Sequence, residues 1–599
     1  MSHFKIRLDL LRQEMTKHNL DCLLVPHADE FQGEYIAEYA QRLAWLTGFT
    51  GSAGAALILA DRAIIFVDGR YTLQVKQQTD SSLYEYEDLI SCPPHIWLSK
   101  YGNNLTIGYD PMLHVINEVE NLKKAISSHK NSRLVSLEQN LVDTIWVDQP
   151  ARPLNPIYLH PMSYSGQSCE DKLKLVQESL TKTGADFTIL TDPSSTAWLL
   201  NIRGKDIDHT PLALGFTIVE RFGSIVCFME EEKITTDITN ILGPVCKFKK
   251  PQELLPHVEN LVKNNKIALL DPVLCSEKFA QIIDNLSGKY IFAMDPCRLP
   301  RACKNKVELE GARKAHLWDG LAVTKFLFWV EQQPENKVTE LSAAEQLANF
   351  RIEAAKIFGS KLEDQSFSTI AGSGEHGAII HYRVTNETNK MLRPGELFLI
   401  DSGGQYKEGT TDITRTIPIG NVDDQEIKKL YTLVLKGLIS LSLAKFIPHS
   451  RGADLDILAR IALWKHGFNY AHGTGHGVGS FLAVHEGPQN ISSRGMAELQ
   501  TGMILSNEPG YYRAGAFGIR LENLMAVSAP TIPADGELEM HSFETLTYVP
   551  FCRQLIDTSL LDAEELDWLN NYHASVLSKL SSYLTEAETA WLTELTKPL

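Results

Sequence analysis

Apolar and polar positions along this chain switch between two periods. In MSHFKIRLDLLRQEM, Leu8, Leu11 and Met15 fall on one face of a predicted helix. DCLLVP (Asp21 to Pro26) is a short apolar run of strand type. RLAWLTGFTGSAGAALIL follows it, and AIIFVDGRY carries a second strand. About 150 residues later the plan returns: KLKLVQESL reads as helix, DFTILT (Asp186 to Thr191) as strand, and STAWLLNIRG follows. The Ala-Trp-Leu of 44–46 recurs at 197–199, an offset of 153 residues. Two helix–strand–Ala-Trp-Leu units predict two related α/β domains born of duplication, too few copies for a solenoid.

Prolines punctuate the joints. Pro150, Pro153 and Pro156 separate the first unit from the second, and Pro296 and Pro300 precede the basic RACKNK. A long helix is predicted from near Val307, with Val323, Phe326, Leu327 and Val330 spaced i, i+3, i+4, i+7. The expected division is 1–156, 157–304 and 305–599, the last with a helical extension. In that tail, from Asp562, Leu569, Tyr572, Val576 and Leu580 form an apolar stripe. A surface helix packed on its own domain would carry such a stripe, and so would a dimer contact.

Composition narrows the classes. Of 599 residues, 44% are hydrophobic and 22% charged, which excludes disorder as the main state and a small disulfide scaffold. The net charge of −17, with no local basic patch, argues against nucleic acid as a partner. Nine scattered cysteines without a CxxC pair read as reduced thiols. The first residues lack the apolar core of a secretory signal, and no run of 18 apolar residues occurs. A cytoplasmic protein without a membrane span is the expectation.

The third region holds the unusual chemistry. In ELFLIDSGGQYKEGTTDITRTIPIG, Asp401 ends an apolar run and Asp412 begins an alternating strand, with Gly403, Gly404 and Gly409 around the turn. Alternation puts Asp412, Thr414 and Thr416 on one face and Ile413, Arg415 and Ile417 on the other. Such a hairpin brings two carboxylates side by side, where they repel unless protonated or bridged by a cation. NYAHGTGHGVGSFLAVHEGP follows, with His472, His476 and His485 among glycines. It does not match the dinucleotide fingerprint, and the glycines are expected to let backbone approach an ion or ligand. In MILSNEPGYY, Glu508 ends a strand that Pro509 stops. FGIRLENLMAV reads as one strand, with Arg520, Glu522 and Leu524 on one face. Asp401, Asp412, Glu508 and Glu522 carry four negative charges, and two divalent cations with neutral His476 would balance them. Four oxygen donors and one imidazole favour Mn²⁺, with Co²⁺, Fe²⁺ or Zn²⁺ as alternatives. Two such ions can share and ionise a water and polarise a carbonyl.

These residues resemble a known family. HYRVT around His381, DSGGQYKEGTTDITRT, HGTGHGVGSFLAVHEGP, NEPGYY and GIRLEN are similar to the Xaa-Pro aminopeptidase (aminopeptidase P) branch of the pita-bread metallopeptidases. GFTGSAG, DGRY, AWLLNIRG and WLNNYH resemble its long cytosolic three-domain form. The resemblance implies an α/β fold with two related creatinase-type N-terminal domains followed by a pita-bread catalytic domain. It implies a metal role for Asp401, Asp412, His476, Glu508 and Glu522, with Asp412 and Glu522 bridging both ions. Glu508 would also shuttle a proton to the departing proline nitrogen. His381 and His485 would hold the substrate carbonyl and its oxyanion. His472 and Arg520 would shape the proline pocket, and Arg70 would contact peptide. Attack of a metal-bridging hydroxide on the Xaa-Pro bond is the implied reaction, and a homodimer the implied assembly. His376 and Glu375 depart from the family pattern and receive no role.

Two other readings compete. A prolidase would cleave only Xaa-Pro dipeptides, and the duplicated N-terminal region favours the aminopeptidase over it. A non-catalytic pita-bread binding module would have lost ligand carboxylates, whereas this chain keeps all five candidate ligands.

Overall fold

The computed structural model describes residues 3–599, which fold as two compact units. The first comprises the chain up to Pro161 together with Gln167–Arg298. The second comprises Met162–Gly166 with Leu299–Leu599.

The first unit contains two six-stranded sheets. One is built from β1 (Cys22–Pro26), β2 (Ala55–Leu59), β3 (Ala63–Val67), β4 (Glu85–Asp88), β5 (Thr106–Tyr109) and β6 (Arg133–Ser136), in the order β4-β3-β2-β1-β5-β6. The other uses β7 (Phe187–Leu190), β8 (Phe216–Glu220), β9 (Ile225–Phe228), β10 (Cys246–Lys249), β11 (Ile267–Leu270) and β12 (Lys289–Phe292), in the order β10-β9-β8-β7-β11-β12. The two orders are the same. So are the senses: β1–β2 and β2–β3 are antiparallel and the remaining three pairings parallel, as in the second sheet. The duplication expected from the repeated Ala-Trp-Leu is therefore present in topology. The strand at AALIL lies inside a stretch the sequence left unassigned. It is wholly buried, so it shows no alternation to read.

The two sheets meet within this unit. Phe31 packs on Phe216 with ring centroids 4.6 Å apart, and the Lys123 ammonium reaches Glu277 at 3.0 Å. The first helix, α1 (His3–Lys17), buries Leu8, Leu11 and Met15 as its pattern predicts.

In the second unit, α2 (Lys306–Gln332) opens on Asn305, whose side chain accepts the N–H groups of Val307 and Glu308. It packs against α3 (Glu340–Ile357). β13 (Ile370–Ser373), β14 (Leu397–Ser402) and β15 (Ile413–Pro418) form an antiparallel sheet in which Asp401 stands opposite both Ile370 and Thr414. β16 (Gly475–Gly477), β17 (Glu486–Ile491), β18 (Ile504–Asn507), β21 (Asn523–Val527) and β22 (Phe543–Thr545) form a second sheet in the order β17-β16-β18-β21-β22. The ribbon of β19 (Gly510–Arg513) and β20 (Phe517–Arg520) stands apart from it. α4 (Gln425–Ser442), α5 (Gly452–Trp464) and α6 (Ala563–Leu580) supply a core of Leu430, Val434, Leu438, Leu463, Leu569 and Val576.

Two expectations change. FGIRLENLMAV is not one strand, because it breaks at Leu521–Glu522. There the Glu522 N–H goes to the Thr414 carbonyl and the Leu521 N–H to Pro509, so both leave the ladder. Of the two readings of the α6 tail stripe, packing on its own domain holds and the dimer contact does not: Leu569, Val576 and Leu580 are fully buried and Tyr572 nearly so, all within their own unit. All nine cysteines are free, and among the described residues no helix is long and apolar enough to cross a membrane.

The tail also anchors the core electrostatically. Arg415 is buried, lies over the Phe551 ring, and donates to the carbonyls of Thr414, Val549, Pro550 and Glu522, to the Asn523 side chain and to the Tyr572 hydroxyl. Beside it, buried His573 accepts the Phe551 N–H at Nε2. Burial, followed by the charges of Arg415 and Arg553, pushes its imidazole down to about 4. The unfolded chain takes up this proton near pH 6.5 and the folded chain only near 4, so stability is full above that window and falls as pH drops through it. The expected loss is about 3 kcal/mol at most. Denaturation midpoints at pH 7 and pH 4.5 should show a smaller acid shift in His573→Gln than in the parent chain. An equal shift would mean that this imidazole does not contribute.

Candidate metal centre

The acids arrive from four separate stretches. Asp401 lies near the end of β14, and Asp412 stands immediately before β15. Glu508 follows β18, held by its own N–H to the Thr474 carbonyl, and Glu522 sits in the gap between β20 and β21. Each is at or beside a strand end, where the chain turns and its side chain can leave the sheet. The antiparallel register of β14 and β15 sets Asp401 against Thr414, which puts Asp412 one step beyond on the same side.

Ligand atoms of Asp412, His476 and Glu522 lie within 4.8 Å of one another. His476 Nε2 is 3.4 Å from Asp412 Oδ2 and 3.6 Å from Glu508 Oε1. Asp412, Glu522 and Glu508 thus gather around one imidazole, and the charge of Asp401 acts on all three. Burial pushes the Asp412 carboxyl well above the carboxylate range, and the Asp401 charge adds to it. Glu522 is likewise raised by burial, then by Asp412, Asp401 and Glu508. Glu508 is raised to about 7, again by burial first, although His476 and Arg520 pull it down.

Hydrogen bonds aim these groups. The Thr414 hydroxyl donates to Glu522 Oε2 at 2.8 Å, and the Ser506 hydroxyl to Glu508 Oε1 at 3.2 Å. Arg520, almost fully buried, donates from Nη2 to Asp401 Oδ2 at 2.6 Å and from Nη1 to the Tyr512 hydroxyl at 2.8 Å. His472 Nε2 meets the same hydroxyl at 2.8 Å, and its Nδ1 is 3.8 Å from Glu508. His472 and Arg520 are thereby joined through Tyr512. The His485 ring stands edge-on to His476, with centroids 4.2 Å apart.

The residue after His485 is clamped. Glu486, buried, receives the Lys304 ammonium and, at 3.1 Å, Arg301 Nε, and both cations are buried too. Glu486 also pairs with Gly477 across a register shift between His476 and Gly477. The clamp therefore fixes the strand edge that joins the two imidazoles. Gly475 is required here, since a Cβ would stand 2.0 Å from the Ser506 carbonyl. The crowding neighbour at this glycine is strand backbone.

His381 follows the 3-10 turn Gly374–Ala378, which packs on β20 two residues from Arg520. Arg70 belongs to the first unit, where it grips Asp68 through Nε and Nη2 and approaches Glu34 at 3.7 Å. Sequence reasoning missed Tyr512, Ser506 and the aiming role of Thr414. The one local signal for Tyr512 is its place in the NEPGYY motif that carries Glu508.

The donor set fits divalent cations. Asp401 Oδ1 and Asp412 Oδ1 are buried and accept no hydrogen bond, although both carboxylates are otherwise placed by neighbours. Orphaned acceptors of this kind are costly unless a cation takes them up. Oxygen donors with one imidazole suit such ions.

Comparison with known proteins agrees. The model for metallopeptidase family M24 matches residues 310–529, and that for the C-terminal region of the same peptidases 539–599. Two models for the creatinase/prolidase N-terminal domain match 7–145 and 148–308. The probable Xaa-Pro aminopeptidase P of Laccaria bicolor is 36% identical over 99% of this chain and 93% of its own length. That of Neurospora crassa is 37% identical over 99% and 89%. The crystal structure of X-prolyl aminopeptidase from Caenorhabditis elegans, a cytosolic enzyme with a di-nuclear active site, superposes with a TM-score of 0.93 over all of both chains at 31% identity. Two creatinase-type domains ahead of a pita-bread domain that gathers four acids, three of them buried and Glu508 half-buried, matched over its whole length by such relatives, place this chain in the Xaa-Pro aminopeptidase P family of the M24 metallopeptidases.

Proposed function

We propose that this enzyme releases the N-terminal residue from peptides with proline in the second position. The observation that carries the reading is the convergence of Asp412, His476 and Glu522, with Asp401 and Glu508 beside them, around buried oxygens that lack donors. These five residues would hold two divalent ions, Mn²⁺ first among them, with Asp412 and Glu522 shared between both. Such a pair, when bound, supplies Lewis acidity toward the scissile carbonyl and ionises water near neutral pH.

The chain's own groups do the rest. Glu508, steadied by the Ser506 hydroxyl, takes the proton of the attacking water on a carboxylate oxygen and returns it to the proline nitrogen. His485 and His381 donate to the carbonyl oxygen as its charge develops. His472, Tyr512 and Arg520 wall the pocket for the proline ring, and Arg70 contacts peptide. A proline nitrogen lacks an N–H and its ring fixes φ, so the site must be shaped to the ring rather than to a backbone donor. The division 1–156, 157–304 and 305–599 belongs to the same reading, as does a cytosolic location like that of the nematode enzyme. A homodimer is also proposed. With the α6 stripe buried, the exposed Ile457, Ile461 and Trp464 on one face of α5 are the better surface for a second copy.

Stripping metal should abolish cleavage of an Xaa-Pro tripeptide, and Mn²⁺ should restore it with two ions per chain. Activity that survives chelation would overturn the scheme. Glu508→Ala, reloaded with metal, should lose about 10²–10⁴-fold in kcat. A tripeptide should be cleaved with higher kcat/KM than the matching Xaa-Pro dipeptide, and the reverse preference would make the enzyme a prolidase.

A further inference from the structure

We propose that Glu340 and His376 are positioning residues for His381, an inference that rests on the substrate-binding role given to His381 above. Glu340, the first residue of α3, has a fully buried side chain. A carboxylate so placed is several kcal/mol too costly unless its oxygens are satisfied. Here they are. Oε1 accepts the Ser373 N–H at 2.8 Å and His376 Nδ1–H at 2.8 Å, and Oε2 accepts the Lys390 N–H at 3.0 Å and the Tyr382 hydroxyl at 3.2 Å.

All four donors belong to one segment, 373–390, and that segment carries His381. Glu340 ties both of its ends and the residue next to His381 to a rigid helix start. The His376 ring lies against the Tyr382 ring, with centroids 4.5 Å apart, so His376 holds Tyr382 by packing as well as through the shared carboxylate. The turn between them is closed by Ile379 N–H to His376 O and Tyr382 N–H to Ile379 O. On the opposite side Gly377 is pressed against Gly518, where a Cβ would stand 1.8 Å from the Gly377 carbonyl. The segment therefore has no slack at Gly377, and the Glu340 contacts restrain it together with Ser373 Oγ to Glu396, Asn389 Oδ1 to the Leu341 N–H and the Lys390 ion pairs.

Lys390 does not neutralise Glu340 with its ammonium, which goes to Glu375 at 2.7 Å and Glu396 at 3.2 Å. Among the described residues, His376 is the basic side chain that reaches Glu340. A loosened segment displaces His381 from the developing oxyanion, and displacements of about 1 Å cost up to about 10²-fold in rate.

The test is a double-mutant cycle on the Mn²⁺-loaded enzyme with an Xaa-Pro tripeptide. His376→Ala should lower kcat about 10-fold or more at a temperature where it stays folded, with KM and metal content nearly unchanged and a lower melting temperature as buried Glu340 loses its basic partner. His376→Asn, which keeps an N–H for Glu340, should regain most of that loss. The double variant His376→Ala/His381→Asn should be no slower than His381→Asn alone, because His376 acts through His381. Full activity in His376→Ala, or losses that multiply in the double variant, would overturn the inference while leaving His381 its role. An inactive-fold result for His376→Ala shifts the same cycle to His376→Asn and Glu340→Gln, with the same readings. Unchanged kcat in His381→Asn alone would instead remove the role of His381, and this inference with it.

Discussion

Mutual repulsion among four carboxylates, three buried and one half-buried, is the constraint on which the second unit is organised. Burial alone pushes Asp412 and Glu522 well above their ordinary range, and each neighbouring acid adds to the push. Arg520 offsets part of the charge through Asp401 and Arg351 part of that on Asp412, but two guanidiniums against four acids are not enough. Strand ends that bring such groups together are tolerable when protons neutralise them or divalent cations share them, and only the second leaves all four ionised. The energetic problem and the chemical capacity of the site have the same origin.

Around that centre, polar groups are held by other polar groups at fixed angles. Thr414 aims Glu522, Ser506 aims Glu508, and Arg520 and His472 share Tyr512. Farther out, buried ionic clusters lock backbone: Lys304 and Arg301 on Glu486, and Arg351 on Asp319 with a further bond to Ser402 beside Asp401. Removing one member of such a cluster leaves a bare buried charge, which costs about 3–5 kcal/mol. Rigidity at the site is thus built from charge pairs as much as from apolar packing.

Much of this was legible in the chain because strand alternation is a strong signal. Asp401 and Glu508 stood at the ends of apolar runs, Asp412 at the start of an alternating strand and Glu522 inside an apolar one, and the repeated Ala-Trp-Leu announced two sheets of one topology. What stayed hidden depended on distant partners. The break at Leu521–Glu522 exists because Thr414, over a hundred residues earlier, takes the N–H that the ladder would have used. AALIL is buried on both faces and offers no period. Glu340 reads as an ordinary acid in the first turn of a helix, and nothing local tells that its oxygens fasten a loop beginning thirty-three residues later.

The caging of Arg415 has a consequence for where this catalytic unit stops. Tyr572, on α6, bonds to Arg415 and to the Val549 carbonyl, and Arg415 in turn carries the main chain of Glu522. This C-terminal-region helix is therefore wired into an acid at the centre, not appended to the outside. A shorter fragment cut ahead of Asp562 would keep every ligand in its sequence and yet strip a wall from the guanidinium that orients one of them. The smallest autonomous catalyst in this chain has to reach into its last forty residues.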